Sequence, residues 1–204
     1  MKVLYLDSGI LGERSVSRIM TERAIARIKA EYPDADVTYR DFATDPVPHL
    51  AAETAGEWQA LMVPDDPASP PEQTLSRILL DEFLAADIVL IGASLYNLTV
   101  PSTIKAWLDR IVIVGKTFSY TPEGQLMGLM GHKRAIVCIS RGGFYAEGHP
   151  SHEIEHCEKY MRSILGFMGI EKIDMITADG TSVSPETREQ ALASVDEQIA
   201  ALKF

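Results

Sequence analysis

Two short stretches, "IVLIGA" at 88–93 and "AIVCIS" at 135–140, constrain this chain more than anything else in it. They are continuous apolar runs, without the inside/outside alternation of a half-exposed strand. Such strands need cover on both faces, and a parallel sheet with helices packed on either side provides it. The rest of the chain carries the matching alternation. Strands are expected at "VLYLD" (3–7), "DVTYRD" (36–41), "DIVLIGA" (87–93), "RAIVCIS" (134–140) and "KIDMITA" (172–178). Helices are expected at about Ser15 to Glu31, Pro71 to Ala86, Pro101 to Val112 and Ser151 to Met168, with a last one from about Ser184. Pro101 suits a first turn, and Ser184 followed by Pro185 reads as an N-cap and first turn. The fold class is therefore α/β, a doubly wound five-stranded parallel sheet of order 2-1-3-4-5.

A chain of 204 residues is long enough for one well-formed core and short for two. A single domain over 1–204 is expected, with a long insert at about 42–71. The insert carries "DPVPHL" and runs into "VPDDPASPPEQ". The proline-dense piece is either a flexible linker or, as a long loop inside a compact domain, a site wall or partner surface.

The 19 basic residues against 29 acidic ones leave a net charge of −10 and no run of Lys or Arg. That balance repels nucleic acid and anionic membrane surfaces, so neither is an expected partner, and small molecules are. Met1 leads directly into an apolar strand without a signal-like segment, and no stretch reaches the length of a membrane span, so a cytoplasmic location is expected. Cys138 and Cys157 have no C-x-x-C spacing and read as buried small side chains.

One motif has to be set aside. "HEIEH" at 152–156 matches the H-E-x-x-H pattern of zinc proteases, and on a helix His152 and His156 would share a face. Glu153 would then stand beside them as general base. Glu155, Glu158 and Lys159 make that face read as solvated, however, and no third ligand follows at a recognisable spacing. No metal is expected.

In an open parallel sheet of this order, ligands bind beyond the carboxyl ends of the strands, between the first and third. Three loops meet there. "SGILGERSVS" places Ser15 and Ser17 at a helix start, where unpaired N–H groups attract an anion, although Ser15 could equally be a simple cap. "SLYNLTVPS" offers Tyr96 and Asn97 to a flat polar ring. "SRGGFY" offers the backbone of Gly142 and Gly143 without side chains in the way. Each alone reads as a turn, but all three fall on one rim. The chain holds no G-x-x-x-x-G-K and no G-x-G-x-x-G, so the anion belongs to a smaller cofactor than a nucleoside triphosphate or a dinucleotide.

Over nearly its whole length, from "KVLYLDSGILGERSVSR" through "LYNLTVPSTIKAWLDR" and "GKTFSYTPEGQLMGL" to "SRGG", the sequence resembles the FMN-dependent NADH azoreductases. These are also described as NADH:quinone oxidoreductases and are flavodoxin-like homodimers. The resemblance implies that Ser15, Val16 and Ser17 hold the FMN phosphate, and that Leu95, Tyr96, Asn97 and Leu98 edge the isoalloxazine ring. It places Ser140, Arg141, Gly142 and Gly143 on the pyrimidine side and Tyr120 near the substrate. No covalent catalyst is needed, and Asn97 and Tyr120 are the candidates for ring positioning and substrate contact. NADH would reduce the flavin, and a quinone or azo compound would then take two electrons at the same face, in a ping-pong cycle. The alternative is a flavodoxin-like electron carrier or flavin-binding sensor without turnover. The chain departs from the family at three positions, with Gly9, Leu98 and Ser119 where Ser, Phe and Arg are frequent.

Overall fold

The computed structural model describes residues 1–63 and 74–204. Seven strands form: β1 (Lys2–Asp7), β2 (Asp36–Asp41), β3 (Ile88–Ser94), β4 (Phe118–Tyr120), β5 (Leu126–Gly128), β6 (Arg134–Ser140) and β7 (Lys172–Ala178). Five of them make one parallel sheet in the order β2-β1-β3-β6-β7, the 2-1-3-4-5 arrangement expected from the sequence. β3 is buried at every position, as its unbroken apolar run requires, whereas the edge strand β2 is partly exposed along its length.

Among the described residues, six helices accompany the strands: α1 (Val16–Glu31), α2 (Ala55–Leu61), α3 (Leu75–Ala85), α4 (Ser102–Ile111), α5 (Cys157–Phe167) and α6 (Pro185–Ala200). They cover both faces. On one, Met20, Ala24 and Ile28 of α1 and Val195 and Ile199 of α6 pack against Val3, Leu90, Ile136 and Cys138. On the other, Leu79, Leu80, Phe83, Trp107, Met161 and Leu165 from α3, α4 and α5 pack against Leu4, Leu6, Val89, Ile91 and Val137. Adjacent strand residues thus enter opposite layers.

Part of the insert lies among the described residues. Residues 42–63 contain a 3₁₀ turn (Ala52–Thr54) and α2, and Phe42, Val47 and Leu61 are buried in the core. The buried Arg110 of α4 donates from Nη2 and Nε to the Pro48 carbonyl at 3.0 and 3.2 Å, which fastens the "DPVPHL" stretch to the body. That part is packed structure. Residues 64–73, which carry most of "VPDDPASPPEQ" and the expected start of α3 at Pro71, lie outside the described residues. α3 itself is capped by Thr74, whose hydroxyl accepts the Arg77 N–H at 3.3 Å.

Besides α2, which the sequence reading does not contain, the structure differs from that reading in two places. The helix expected from Ser151 to Met168 is a 3₁₀ segment, Pro150–Ile154, followed by α5 from Cys157. β4 and β5 form an antiparallel hairpin that the sequence reading does not contain. Among the described residues, no helix is long and apolar enough to cross a membrane.

Candidate functional site

The first strand leaves the sheet at Asp7 and passes Ser8 and Gly9 before α1 begins. Ser15 stands at the N-cap of α1 in extended backbone, yet its side chain makes no cap hydrogen bond. Its Oγ lies 3.0 Å from Ser17 Oγ instead. From there the hydroxyls continue, Ser17 to Ser94 at 3.1 Å and Ser140 donating to Ser94 at 3.1 Å. All four serines are buried. The first N–H groups of a helix have no partner within it, so without a side-chain cap the start of α1 is open to an anion.

Gly9 shapes this cradle. A Cβ there would lie 2.0 Å from Ser15 Oγ and 2.7 Å from Ser15 Cβ. Any side chain at position 9 is therefore incompatible with Ser15 as it sits, and the glycine gives room to the hydroxyl row. Gly92 in β3 acts similarly on the packing. A Cβ there would stand 2.8 Å from Asp7 Oδ1 and 3.0 Å from Thr21 Cγ2, so the glycine allows α1 to lie close on the sheet.

Behind the cradle is a buried carboxylate. Asp7 accepts hydrogen bonds from the Thr21 hydroxyl at 2.7 Å and the Tyr39 hydroxyl at 3.1 Å, with Arg18 Nη1 3.9 Å away. Burial raises its pKa, and the bonds from Thr21 and Tyr39 offset this only in part. Desolvation, followed by the Asp7 charge, pushes the Tyr39 hydroxyl up to about 12. Arg18 is held by Asp41 at 2.6 Å.

The loop after β3 makes the second wall. Tyr96 and Thr99 exchange both backbone hydrogen bonds at 3.1 Å, closing a two-residue turn in which Asn97 (φ 47°) and Leu98 (φ 72°) are both left-handed. Asn tolerates that conformation. Leu does not, so the turn holds strain at the rim of the site. Two bonds pin it: Ile10 N–H donates to the Tyr96 hydroxyl at 3.2 Å, and His156 N–H donates to the Leu98 carbonyl at 2.9 Å. Ile10, Leu95, Tyr96 and Asn97, with Pro101 and Lys105 at the start of α4 and Tyr160 of α5, line a mostly apolar cavity of about 800 Å³, a size suited to a small-molecule ligand.

The third wall follows β6. The carbonyls of Arg141, Gly142 and Gly143 accept the N–H groups of Thr181, Ser182 and Gly180 at 3.1, 3.0 and 2.8 Å. Arg141 N–H goes to the Ala178 carbonyl at 2.8 Å. The N–H groups of Gly142 and Gly143 have no partner among the described residues and stay available to a ligand. The Arg141 guanidinium is paired through Nη2 with Glu158 at 2.6 Å and through Nη1 with Asp179 at 3.1 Å, while its buried Nε lies 3.7 Å from Glu155 without a hydrogen-bond partner among the described residues. It holds the loop in place and is not a free positive charge.

The remaining sequence candidates sort as follows. Val16 is buried at the cradle in the first turn of α1. Tyr120 is 54% exposed on the β4–β5 hairpin and packs edge-on against Phe118 at 5.7 Å. It does not line the cavity, and Ser119 shares its strand. "HEIEH" is not one helix. His152 lies in the 3₁₀ segment with Nδ1 2.9 Å from the Tyr145 carbonyl, and His156 is the N-cap of α5. Glu155, expected on a solvated face, is 2% exposed and accepts the N–H groups of Cys157 and Glu158 at 3.0 Å. It closes the start of α5, which is why a charged residue there is buried. Among the described residues, no group of three or more His, Cys, Asp or Glu is placed to hold a metal ion.

Sequence reasoning misses Ser94 and Asp7. A signal for Ser94 exists: Ser94 and Ser140 each close an apolar run, and β3 and β6 are in register with these two residues side by side. Asp7 closes β1 in the same way, but a carboxylate at a strand end reads as exposed until Tyr39 and Thr21 are seen over it.

A family model described as flavodoxin-like fold matches residues 1–202. An FMN-dependent NADH:quinone oxidoreductase of Methylorubrum populi is 47% identical, covering 100% of this chain and 99% of its own. One of the same name from Xanthomonas campestris pv. campestris is 43% identical over 99% of both. Among solved structures, an azoreductase from Bacillus anthracis superposes with a TM-score of 0.83 at 28% identity, covering 98% of this chain and 97% of that one.

Proposed function

This chain belongs to the flavodoxin-like family of FMN-dependent NADH:quinone oxidoreductases, and from that premise we propose that it binds FMN across the three-loop rim and passes two electrons from NADH to quinones and azo compounds in a ping-pong cycle. The observation that carries this reading is the open start of α1 beside the buried Ser15 and Ser17 hydroxyls, on the same rim as the free N–H groups of Gly142 and Gly143. FMN held there would supply the redox chemistry, hydride acceptance and two-electron donation, when bound. The protein supplies place and charge. Ser15, Ser17 and the first-turn N–H groups hold the phosphate, and the strained Tyr96–Thr99 turn sets the edge of the ring, with Asn97 its positioning candidate. The Gly142 and Gly143 N–H groups meet negative charge on the pyrimidine edge, as preorganised donors do best away from water. Hydride transfer requires about 3 to 3.5 Å between reacting atoms, so nicotinamide and acceptor take turns on one face.

The rim is also apolar and open: Ile10 is 68% exposed, and Leu98, Phe144 and Ile154 are exposed as well. A second copy of the chain covering these residues would exclude water from the reacting face and could bring Tyr120 to the substrate, and exposed apolar residues at the rim support a homodimer as part of this proposal.

The decisive experiment is anaerobic stopped-flow. NADH alone should bleach the flavin, a quinone added after removal of nucleotide should restore its colour, and double-reciprocal plots should run parallel. Intersecting plots, or a flavin that NADH does not reduce, would replace this reading with a ternary complex or an electron carrier. Light scattering that finds an active monomer would remove the dimer.

A further inference from the structure

The row Ser15, Ser17, Ser94, Ser140 runs from the anion cradle to the loop after β6, with steps of 3.0, 3.1 and 3.1 Å. Its middle member, Ser94, is 8% exposed and lies at the last position of β3. We infer that Ser94 is a positioning residue that couples occupancy of the cradle to Ser140, so that the cofactor's phosphate sets the hydrogen bonding on the ring side. This inference rests on the FMN reading above.

A hydroxyl has one proton, so a row of hydroxyls points one way or the other. Ser140 donates to Ser94. An anion at Ser15 and Ser17 draws the remaining protons the same way, with Ser94 donating to Ser17 and Ser17 to Ser15 or to the anion itself. Each bond in such a row polarises the next. Ser140 is then left with lone pairs to offer on its far side, as an acceptor for a donor group of the ring or its side chain. The far end is also mechanically placed, because the Ser140 carbonyl accepts the Leu95 N–H at 2.8 Å and so fixes the loop that edges the ring. Removing the Ser94 hydroxyl breaks the row at its centre and leaves the Ser15–Ser17 pair of the cradle whole.

The test compares FMN with riboflavin, which has the ring and no phosphate. The full chain is stripped of flavin and titrated with each, as wild type, Ser94→Ala and Ser94→Thr, and the midpoint potential is measured on both loaded forms. In wild type FMN binds more tightly than riboflavin. Ser94→Ala should lower that preference by about three- to tenfold, the effect of one hydrogen bond, while riboflavin affinity stays within about twofold. Its FMN-bound potential should move while its riboflavin-bound potential matches wild type. Ser94→Thr, which keeps a hydroxyl, should restore the preference. Equal weakening of both flavins, or no change in either, overturns the coupling and leaves the FMN reading in place. A wild-type chain that takes up neither flavin overturns the cofactor reading and this inference with it.

Discussion

Among the described residues, two helices have a serine at the N-cap, and the two serines do opposite things. At α6 the Ser184 hydroxyl accepts the Thr187 N–H at 3.2 Å, Thr187 Oγ1 accepts the Ser184 N–H at 3.0 Å, and Pro185 follows in the first turn. The chain leading into it is fastened by three backbone bonds to the loop after β6 and by Arg141 on Asp179. At α1 the Ser15 hydroxyl turns away from its own helix and joins a row of other hydroxyls. One start is closed on itself and serves as a fixed wall. The other leaves its donors unspent, which is what a binding site for an anion requires.

The largest expected effect breaks the fixed side. Arg141→Met should cost about 3 to 5 kcal/mol of stability, because it leaves the buried Glu155 and the partly buried Glu158 and Asp179 without their cation. Urea unfolding of the flavin-free chain reads this directly. A loss under about 1 kcal/mol would show that the three carboxylates find other partners and that the wall does not depend on the guanidinium.

Next comes the contrast itself. Ser15→Ala with Ser17→Ala should weaken FMN binding by about 1 to 3 kcal/mol through lost charge-assisted bonds, with little change in flavin-free stability. Ser184→Ala should do the reverse, costing about 1 kcal/mol of stability and leaving FMN affinity alone. Calorimetric melting and flavin titration of the two variants give four numbers. If the double variant melts lower and keeps its flavin, Ser15 is a helix cap after all and the two starts are alike.

A smaller effect sharpens the open side. Gly9→Ala puts a Cβ where Ser15 Oγ now sits, and Ser15 Cβ at 2.7 Å prevents a simple rotation from relieving the overlap. FMN affinity should fall about three- to tenfold as the hydroxyl row is displaced, comparable to one lost hydrogen bond. A Gly9→Ser variant that binds FMN more tightly would mean instead that an added hydroxyl outweighs the displaced row.

The sequence makes the sheet legible because β3 and β6 are apolar without alternation, and only burial on both faces accommodates that. It makes the three loops legible because a parallel sheet of this order brings its strand ends together. Side-chain direction is another matter. "SVS" reads equally as cap or as cradle, since what decides is whether Ser15 Oγ meets its own helix or Ser17, and Gly9 across the loop settles that. The left-handed Leu98 is invisible because no residue preference signals it. "HEIEH" misleads because its polar residues suggest one exposed helix, while Glu155 is buried under the start of α5 and the preceding turn is 3₁₀. The β4–β5 hairpin is too short, at three residues a strand, to show a period.

The smallest expected effect concerns charge behind the two starts. Burial opposes ionisation of Glu158 beside the closed wall, but its bonds to Arg141 and Arg162 outweigh this and lower its pKa below the ordinary 4.5. Burial of Asp7 behind the open start is not outweighed, and its pKa stands above the ordinary 3.8. The two groups therefore tilt stability in opposite directions. The contribution of Glu158 is present above its unfolded value and is lost as pH falls through its lowered pKa. That of Asp7 is full below pH 3.8 and is lost as pH rises through its raised pKa. Asp7→Asn removes this titration alone. Unfolding free energies of wild type minus variant, taken by urea at a series of pH values, should fall as pH climbs past the ordinary aspartate range and then level off. A difference that rises with pH would mean that Arg18, 3.9 Å away, stabilises the carboxylate more than burial penalises it. The cradle would then be backed by a settled ion pair instead of a carboxyl group held toward its neutral form.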